Sequence, residues 1–279
     1  MAELSLREPD DDLLPLLRKC SSEDLEPLVS YITNKGGLTS ELELTEAYKK
    51  HYPNHKMYVD EIAAEIQKYG GNTIINIARG GKGVPYREIV CDVAKKLKVN
   101  FNKKRETEFI EQQIALKLLE RAWEKMTDEE KRVFMDELGL EHKSKSHIVD
   151  FPIMALQALV KLGGFAPYKI SLILANATAK AIMGRGLSLA TNAAIARYLS
   201  VFAGPIGWAV TTIWTIFDLA SPAYRVIVPC VAHIAMLRQK YALLDKGADL
   251  TEDLKISKPK KRKSSVHANH KKASLPSAV

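Results

Sequence analysis

GGNTIINIARGGKGVPYREIVCDVAKKL, residues 70–97, decides between an α/β reading and an all-α one. A nucleotide-binding α/β fold needs a strand, a phosphate-cradling glycine loop and then a helix. Ile74-Ile75-Asn76-Ile77 is the best strand candidate in the chain, and Gly80-Gly81-Lys82-Gly83 is the loop candidate. The loop fails on its chemistry. Gly83 follows Lys82 where a Ser or Thr is needed, and the GxxxxGK spacing is absent. Helix punctuation accounts for every residue instead. Gly70-Gly71 closes one helix, Asn72 or Thr73 caps a short one, Gly80-Gly81 closes that, and Pro85 opens the next. The functional residue of this stretch is a candidate partner-binding surface made by Asn76, Arg79 and Arg87.

The same punctuation runs outward on both sides. Asp10 to Asp12 suit a helix start before Leu13, Leu14, Leu16 and Leu17, because acids complement free N–H groups and the macrodipole. Ser22 opens a second helix with Leu25, Leu28, Val29 and Ile32 on one face, and Gly36-Gly37 stops it. A third is expected over residues 41–50, ahead of Pro53, and a fourth over 58–69 with Val59, Ile62, Ala63 and Ile66 at helical spacing. Downstream, residues 104–125 make a long amphipathic helix with Phe109, Ile110, Ile114, Leu118 and Trp123 inward. Thr127 and Glu130 form a capping box for a helix to about residue 138.

Hydrophobic residues make up 46% of the 279, which excludes global disorder, and charged residues make up 27%, which excludes a polytopic membrane protein along the whole length. The net charge of +8 is confined to one end. Residues 255–272 hold eight basic side chains and no acid, and without them the chain is neutral. The folded body is therefore no general nucleic-acid binder. Cys20, Cys91 and Cys230 are odd in number and form no CxxC, which points to a reducing, intracellular setting. The start MAELSLREPDDD has no apolar core for a secretory signal and is too acidic for a transit peptide.

No arrangement of residues spells out a reaction. His51 and His55 are four apart, but Pro53 interrupts the helix that would align them on a metal. His233 lies in an apolar helical pattern and reads as a satisfied core residue. Glu61, Glu65 and Glu88 occupy solvent-face positions, and neither GxSxG nor a Cys-His pairing stands out. The chain is therefore expected to be no enzyme, with no cofactor, metal or small-molecule substrate. Lys95, Lys96, Lys98, Lys103, Lys104 and Arg105 form an acid-free cluster. It has the composition to grip phosphate, or serves as a helix end favoured by cations followed by a solvated turn.

Residues 70–104, with the upstream DLLPLLRKCSSEDLEPLVSYIT and the downstream GPIGWAVTTIWTIFDLASPAYRVIVPCVAHIAMLR, resemble the uncharacterised YaaW-like family of bacterial proteins. That family is grouped by sequence with the ubiquinol-cytochrome c chaperone family. The resemblance covers roughly residues 10–240. It implies an all-helical, non-enzymatic assembly role at the level of distant relatives, and it carries no catalytic residues over. The basic tail departs from the bacterial pattern.

The region most tied to location is the apolar zone over residues 148–245. From 198 to 217 there are twenty residues without a formal charge, the length of a spanning helix. Gly204-Pro205 sits near the centre, so the segment reads as a helical hairpin with arms at 187–203 and 206–220. Gly186, Ala190 and Ala194 recur every four residues on the first arm, a spacing that suits close helix contact in lipid or in a tight bundle. Tyr198, Trp208 and Trp214 suit a membrane interface. Arg197 opposes simple insertion, since a charge there costs about 2.5–3.5 kcal/mol. Its nearest acid on the other arm, Asp218, would lie roughly 9 Å off register.

The expectation is thus an all-α multi-helix bundle. It has an amphipathic helical domain over 1–145, an apolar helical region over 148–245 turning near 204–205, and a disordered basic tail over 255–279. The leading function is a non-enzymatic, membrane-associated interaction protein that uses the hairpin and the tail. The alternative is a soluble assembly factor or chaperone-like scaffold with the hairpin buried in its core. Partners are a protein and an anionic membrane surface. Lys258, Lys260, Lys261, Arg262 and Lys263 form an electrostatic address, read by an acidic import receptor in a eukaryotic nucleus or by an anionic leaflet. Phosphorylation of Ser264 and Ser265 would offset it.

Overall fold

The computed structural model describes residues 6, 10–33, 40–71, 83–137, 165–183, 186, 187, 195, 199 and 222–250. Every regular element among them is helical. In chain order these are α1 (Leu14–Lys19), α2 (Ser22–Thr33), α3 (Glu46–His51), α4 (Val59–Gly71), α5 (Tyr86–Lys96), α6 (Thr107–Trp123), α7 (Asp128–Glu137), α8 (Phe165–Met183) and α9 (Pro222–Leu244). Short 3-10 turns at Leu42–Leu44 and His55–Tyr58 flank α3.

Local chemistry explains most of the boundaries. Ser21 and Asp24 start α2 reciprocally: the Asp24 N–H donates to Ser21 Oγ at 3.2 Å, and the Ser21 N–H reaches back to Asp24 Oδ2 at 3.4 Å. Thr127 and Glu130 form the expected box on α7, with Thr127 N–H to Glu130 Oε2 at 2.8 Å and Glu130 N–H to Thr127 Oγ1 at 3.3 Å. The helix expected over 41–50 is two pieces. Thr45 breaks it with an extended ψ of 148° and then caps α3 by accepting from the Tyr48 N–H. Gly70 and Gly71 do not stop α4 short; they are its last residues. Gly70 is a packing glycine, because a Cβ there would stand 2.4 Å from Ile89 Cγ1 on α5.

Two helices end in the same hydrogen-bond pattern with different residues in the left-handed position. After α9, Gly247 has φ +76°, and the Ala248 N–H reaches back to the Leu243 carbonyl. After α5, Lys98 takes φ 56°, with Val99 N–H to the Ala94 carbonyl at 2.8 Å. A lysine there bears a steric strain that glycine avoids.

Asp10 does not cap α1 with its side chain. Its carboxylate accepts from the Tyr86 N–H at 2.7 Å and from Gln67 Nε2 at 2.9 Å, so it caps α5 and ties it to α4.

The apolar surfaces of these helices meet on α9. From Val226 to Leu237 its residues are buried on every side, which is why it shows no amphipathic stripe. α8 lies along it, and α1, α2, α4, α5 and α6 also pack against it. The hydrophobic core runs continuously from Leu13 to Leu250 and takes in Leu187, Ile195 and Leu199. The domain division expected near 140–150 falls outside the described residues, and helices from both sides of it share this one core. Among the described residues, no helix is long and apolar enough to cross a membrane.

Candidate functional site

Charged side chains on a buried helix need partners, and α9 carries Arg238, Gln239, Lys240 and Tyr241 in succession at its C-terminal end. The structure gives each one a partner on an earlier element. Lys240 Nζ donates to both oxygens of Asp24 on α2, at 2.6 and 2.8 Å, and the Tyr241 hydroxyl donates to Asp24 Oδ2 at 2.7 Å. Gln239 Nε2 donates to Glu108 on α6 at 2.9 Å. Arg238 clasps Glu111 on α6 through Nε at 2.8 Å and Nη2 at 3.2 Å, and Nη2 also donates to the Asp12 carbonyl at 2.7 Å. Beyond the helix, Lys19 donates to Asp245 at 2.8 Å across an exposed pair.

Two carboxylates at the centre of this seam are shielded from water: Asp24 is 0% exposed and Glu111 is 1%. Burial pushes the Asp24 carboxyl up, but the Lys240 ammonium and the Lys240, Tyr241 and Ser21 hydrogen bonds outweigh it and hold it below its ordinary range. At Glu111 burial wins, and the carboxyl sits above its ordinary range although Arg238 and the Tyr86 hydroxyl, 2.8 Å away, pull against it. Tyr86 is thus held at both ends, its N–H by Asp10 and its hydroxyl by Glu111. His233 adds a third link, with Nε2 2.8 Å from the Asp24 carbonyl oxygen. Cys20 lies beside the seam. Burial, and then the Asp24 charge, push its thiol up to about 12, which makes it a poor nucleophile.

The arrangement binds helix to helix. The cavity beside Glu111 and Ser171 measures about 10 Å³, room for one water at most. Among the described residues, no group of three or more His, Cys, Asp or Glu is placed to hold a metal ion. His55 shares a 2.5 Å hydrogen bond with the Tyr58 hydroxyl.

Of the residues singled out from sequence, Arg87 is described. Its guanidinium donates to Thr107 Oγ1 at 2.9 Å and to the Lys103 and Arg105 carbonyls at 2.9 and 2.5 Å. Those donors face the loop between α5 and α6. Asn76 and Arg79 lie outside the described residues, as do Arg197, Tyr198, Gly204, Pro205, Trp208, Trp214 and the tail cations Lys258, Lys260, Lys261, Arg262 and Lys263. Of the residues expected to form the first arm of a hairpin, three are described, all buried: Leu187, Ile195 and Leu199. Asn176 on α8 holds the start of that arm by accepting the Leu187 N–H at 3.0 Å. A Cβ at Gly186 would stand 2.6 Å from Asn176 Oδ1, so a side chain there would displace the Asn176 amide. Sequence reasoning passed over Asp24, Glu111, Arg238 and Lys240. The one available signal was a cluster of charges closing an otherwise apolar helix.

The chain is similar to a set of bacterial proteins. A UPF0174 protein of Helicobacter pylori strain J99 is 43% identical over 235 residues, covering 81% of this chain and 90% of the relative. A second UPF0174 protein of that strain is 35% identical over 206 residues, covering 73% of this chain and 98% of the relative. The UPF0174 protein YaaW of Escherichia coli K12 is 30% identical over 239 residues, covering 82% and 94%. No family model and no solved structure matches.

Proposed function

The chain belongs to the UPF0174 family, and from that premise we propose that it is a non-enzymatic helical interaction protein, an assembly or chaperone-like scaffold that carries the hairpin's first arm within its own bundle. The observation behind this reading is the burial of Leu187, Ile195 and Leu199 in the core that α9 organises. An arm built to lie in lipid would leave such side chains uncovered in the free protein. The seam around α9 supports the non-enzymatic part. Its ionisable groups are taken up in joining helices, and the space beside them admits no substrate.

One observation favours a second reading, in which the protein is membrane-associated and its hairpin engages lipid. Residues 198–217 carry no formal charge, with Tyr198, Trp208 and Trp214 among them. Membrane fractionation separates the two readings. Membranes from expressing cells are pelleted, washed in high salt, and then washed at alkaline pH. The scaffold reading expects the protein in the supernatant by the alkaline step. Retention through the alkaline wash would reject it in favour of the lipid-embedded hairpin.

A further inference from the structure

We propose that α3 and the 3-10 turns on either side of it form a docking surface for a second copy of this chain. Four large apolar side chains are exposed among the described residues, and three of them fall on this short unit: Leu44 at 52%, Tyr52 at 58% and Met57 at 54%. α3 itself has no buried residue and packs against the two turns. A single exposed apolar residue needs no explanation, whereas three grouped on one small unit mark an interaction site.

The unit is fastened at both ends, so the exposure is built in. At one end the Glu41 N–H donates to the buried Glu65 carboxylate of α4 at 2.8 Å, and Lys68 pairs with Glu41. At the other end Ser22 of α2 donates to Asn54 Oδ1 at 3.0 Å and accepts the Lys56 N–H at 3.4 Å. Between these ends the rings form a ladder. Tyr48 meets Tyr52 at 5.1 Å and Tyr58 at 5.5 Å, Tyr52 meets His55 at 5.8 Å, and His55 and Tyr58 are buried. Tyr52 is thus an exposed ring held from below. A tyrosine fixed in this way offers contact area at little entropic cost on binding.

Charge selects the occupant. Glu43 and Glu46 are exposed at the start of α3, and Lys49, Lys50 and Lys56 at its end and beyond. Glu46 pairs with Lys49 at 3.7 Å, while Glu43, Lys50 and Lys56 form no ion pair among the described residues. Acids at a helix start and lysines at its end suit the macrodipole, but Glu43 and Lys56 lie outside α3. Glu43 shares the side of the rings: burial, and then the Glu43 charge, hold the Tyr48 hydroxyl above its ordinary range. A wholly acidic or wholly basic partner would meet like charge at one end of this unit. A second copy related by a two-fold axis runs the opposite way and sets the acidic end of each α3 against the basic end of the other. An axis over Tyr48 also sets Leu44 of each copy against Tyr52 of the other, since both stand four positions from it. So small a surface implies a weak, reversible dimer.

The test is sedimentation equilibrium of the full chain from about 1 to 100 μM, the range of a weak interface. The parent should pass from monomer to dimer across it. Leu44→Ser with Tyr52→Ser should raise the dissociation constant by more than about tenfold, because a two-fold interface loses each contact twice. Charge reversal gives a readout that misfolding cannot imitate. Glu43→Lys with Glu46→Lys reverses the acidic end, and Lys50→Glu with Lys56→Glu reverses the basic end. Each of these variants should self-associate more weakly than the parent, and an equimolar mixture of the two should dimerise as the parent does. A local folding defect is not repaired by mixing. A parent that stays monomeric at about 100 μM, a dimer that survives the Leu44 and Tyr52 replacements, or a mixture that fails to recover would each overturn the proposal. The alkaline wash does not read α3, so this proposal and the scaffold reading fail separately.

Discussion

His233 is fully buried, with one ring nitrogen bonded to the Asp24 carbonyl and the other, Nδ1, without a hydrogen-bond partner among the described residues. Burial lowers its pKa from 6.5 to about 4, against the pull of the Asp24 carbonyl and charge. The unfolded chain therefore takes up a proton that the folded chain refuses. This contribution is complete above pH 6.5 and is lost as pH falls from there toward 4. At pH 5 the loss is about 2 kcal/mol, at 1.36 kcal/mol per unit. Urea unfolding at pH 7 and pH 5 should show the parent losing that much more stability than His233→Gln, and parallel losses would rule the effect out. The sequence already suggested a core histidine here, because its neighbours are apolar on every side. Its contact with Asp24 spans 209 positions, and nothing local encodes that. Asp24 itself was passed over in the sequence. Its replacement by Asn should leave the Lys240 ammonium poorly compensated and cost about 3 kcal/mol in urea unfolding. Adding Lys240→Met should recover much of that loss. An additive double mutant would mean that the pair is not coupled.

At the scale of elements, the boundaries legible in the sequence are those set by residues a few positions apart. The Thr127–Glu130 box is one case, and the start of α2 at Ser22 is another, although its reciprocal bonds are made by Ser21 and Asp24. What the sequence hides is a cap supplied from afar. Asp10 looked like the cap of the helix that follows it, yet its carboxylate serves α5, 76 residues away. Gly70 does lie at the end of α4, as its sequence suggests, but its packing role was hidden for a related reason. A glycine near a helix end reads as a stop, while the neighbour that forbids a side chain, Ile89, lies on another helix. Gly70→Ala should thus destabilise by about 1–3 kcal/mol, the usual effect of overfilling a tight contact. Ile89→Val in the same chain should return part of it. If Gly70→Ala instead stabilises, as glycine removal from an open helix would, the close approach of α4 and α5 is wrong.

At the scale of the molecule, α9 joins the parts of the chain that composition had separated. The contrast between a charged first half and an apolar second half is real in sequence. It arises because the second half supplies the helix that the first half surrounds, and a central helix has no polar face. The clasps at Arg238, Gln239, Lys240 and Tyr241 fix where that helix sits, and their partners lie more than 100 residues upstream. The all-α class was legible because glycine, proline and capping patterns are local. Whether the first hairpin arm packs on protein or on lipid was not, since both environments select the same small and apolar residues. The account stands on that arm belonging to the bundle. The most direct measurement is the unfolding free energy of Ile195→Ala and Leu199→Ala in lipid-free buffer. Each should lose about 2–5 kcal/mol, the loss expected when a packed aliphatic side chain is truncated. Stabilities within about 0.5 kcal/mol of the parent, as for surface positions, would contradict it.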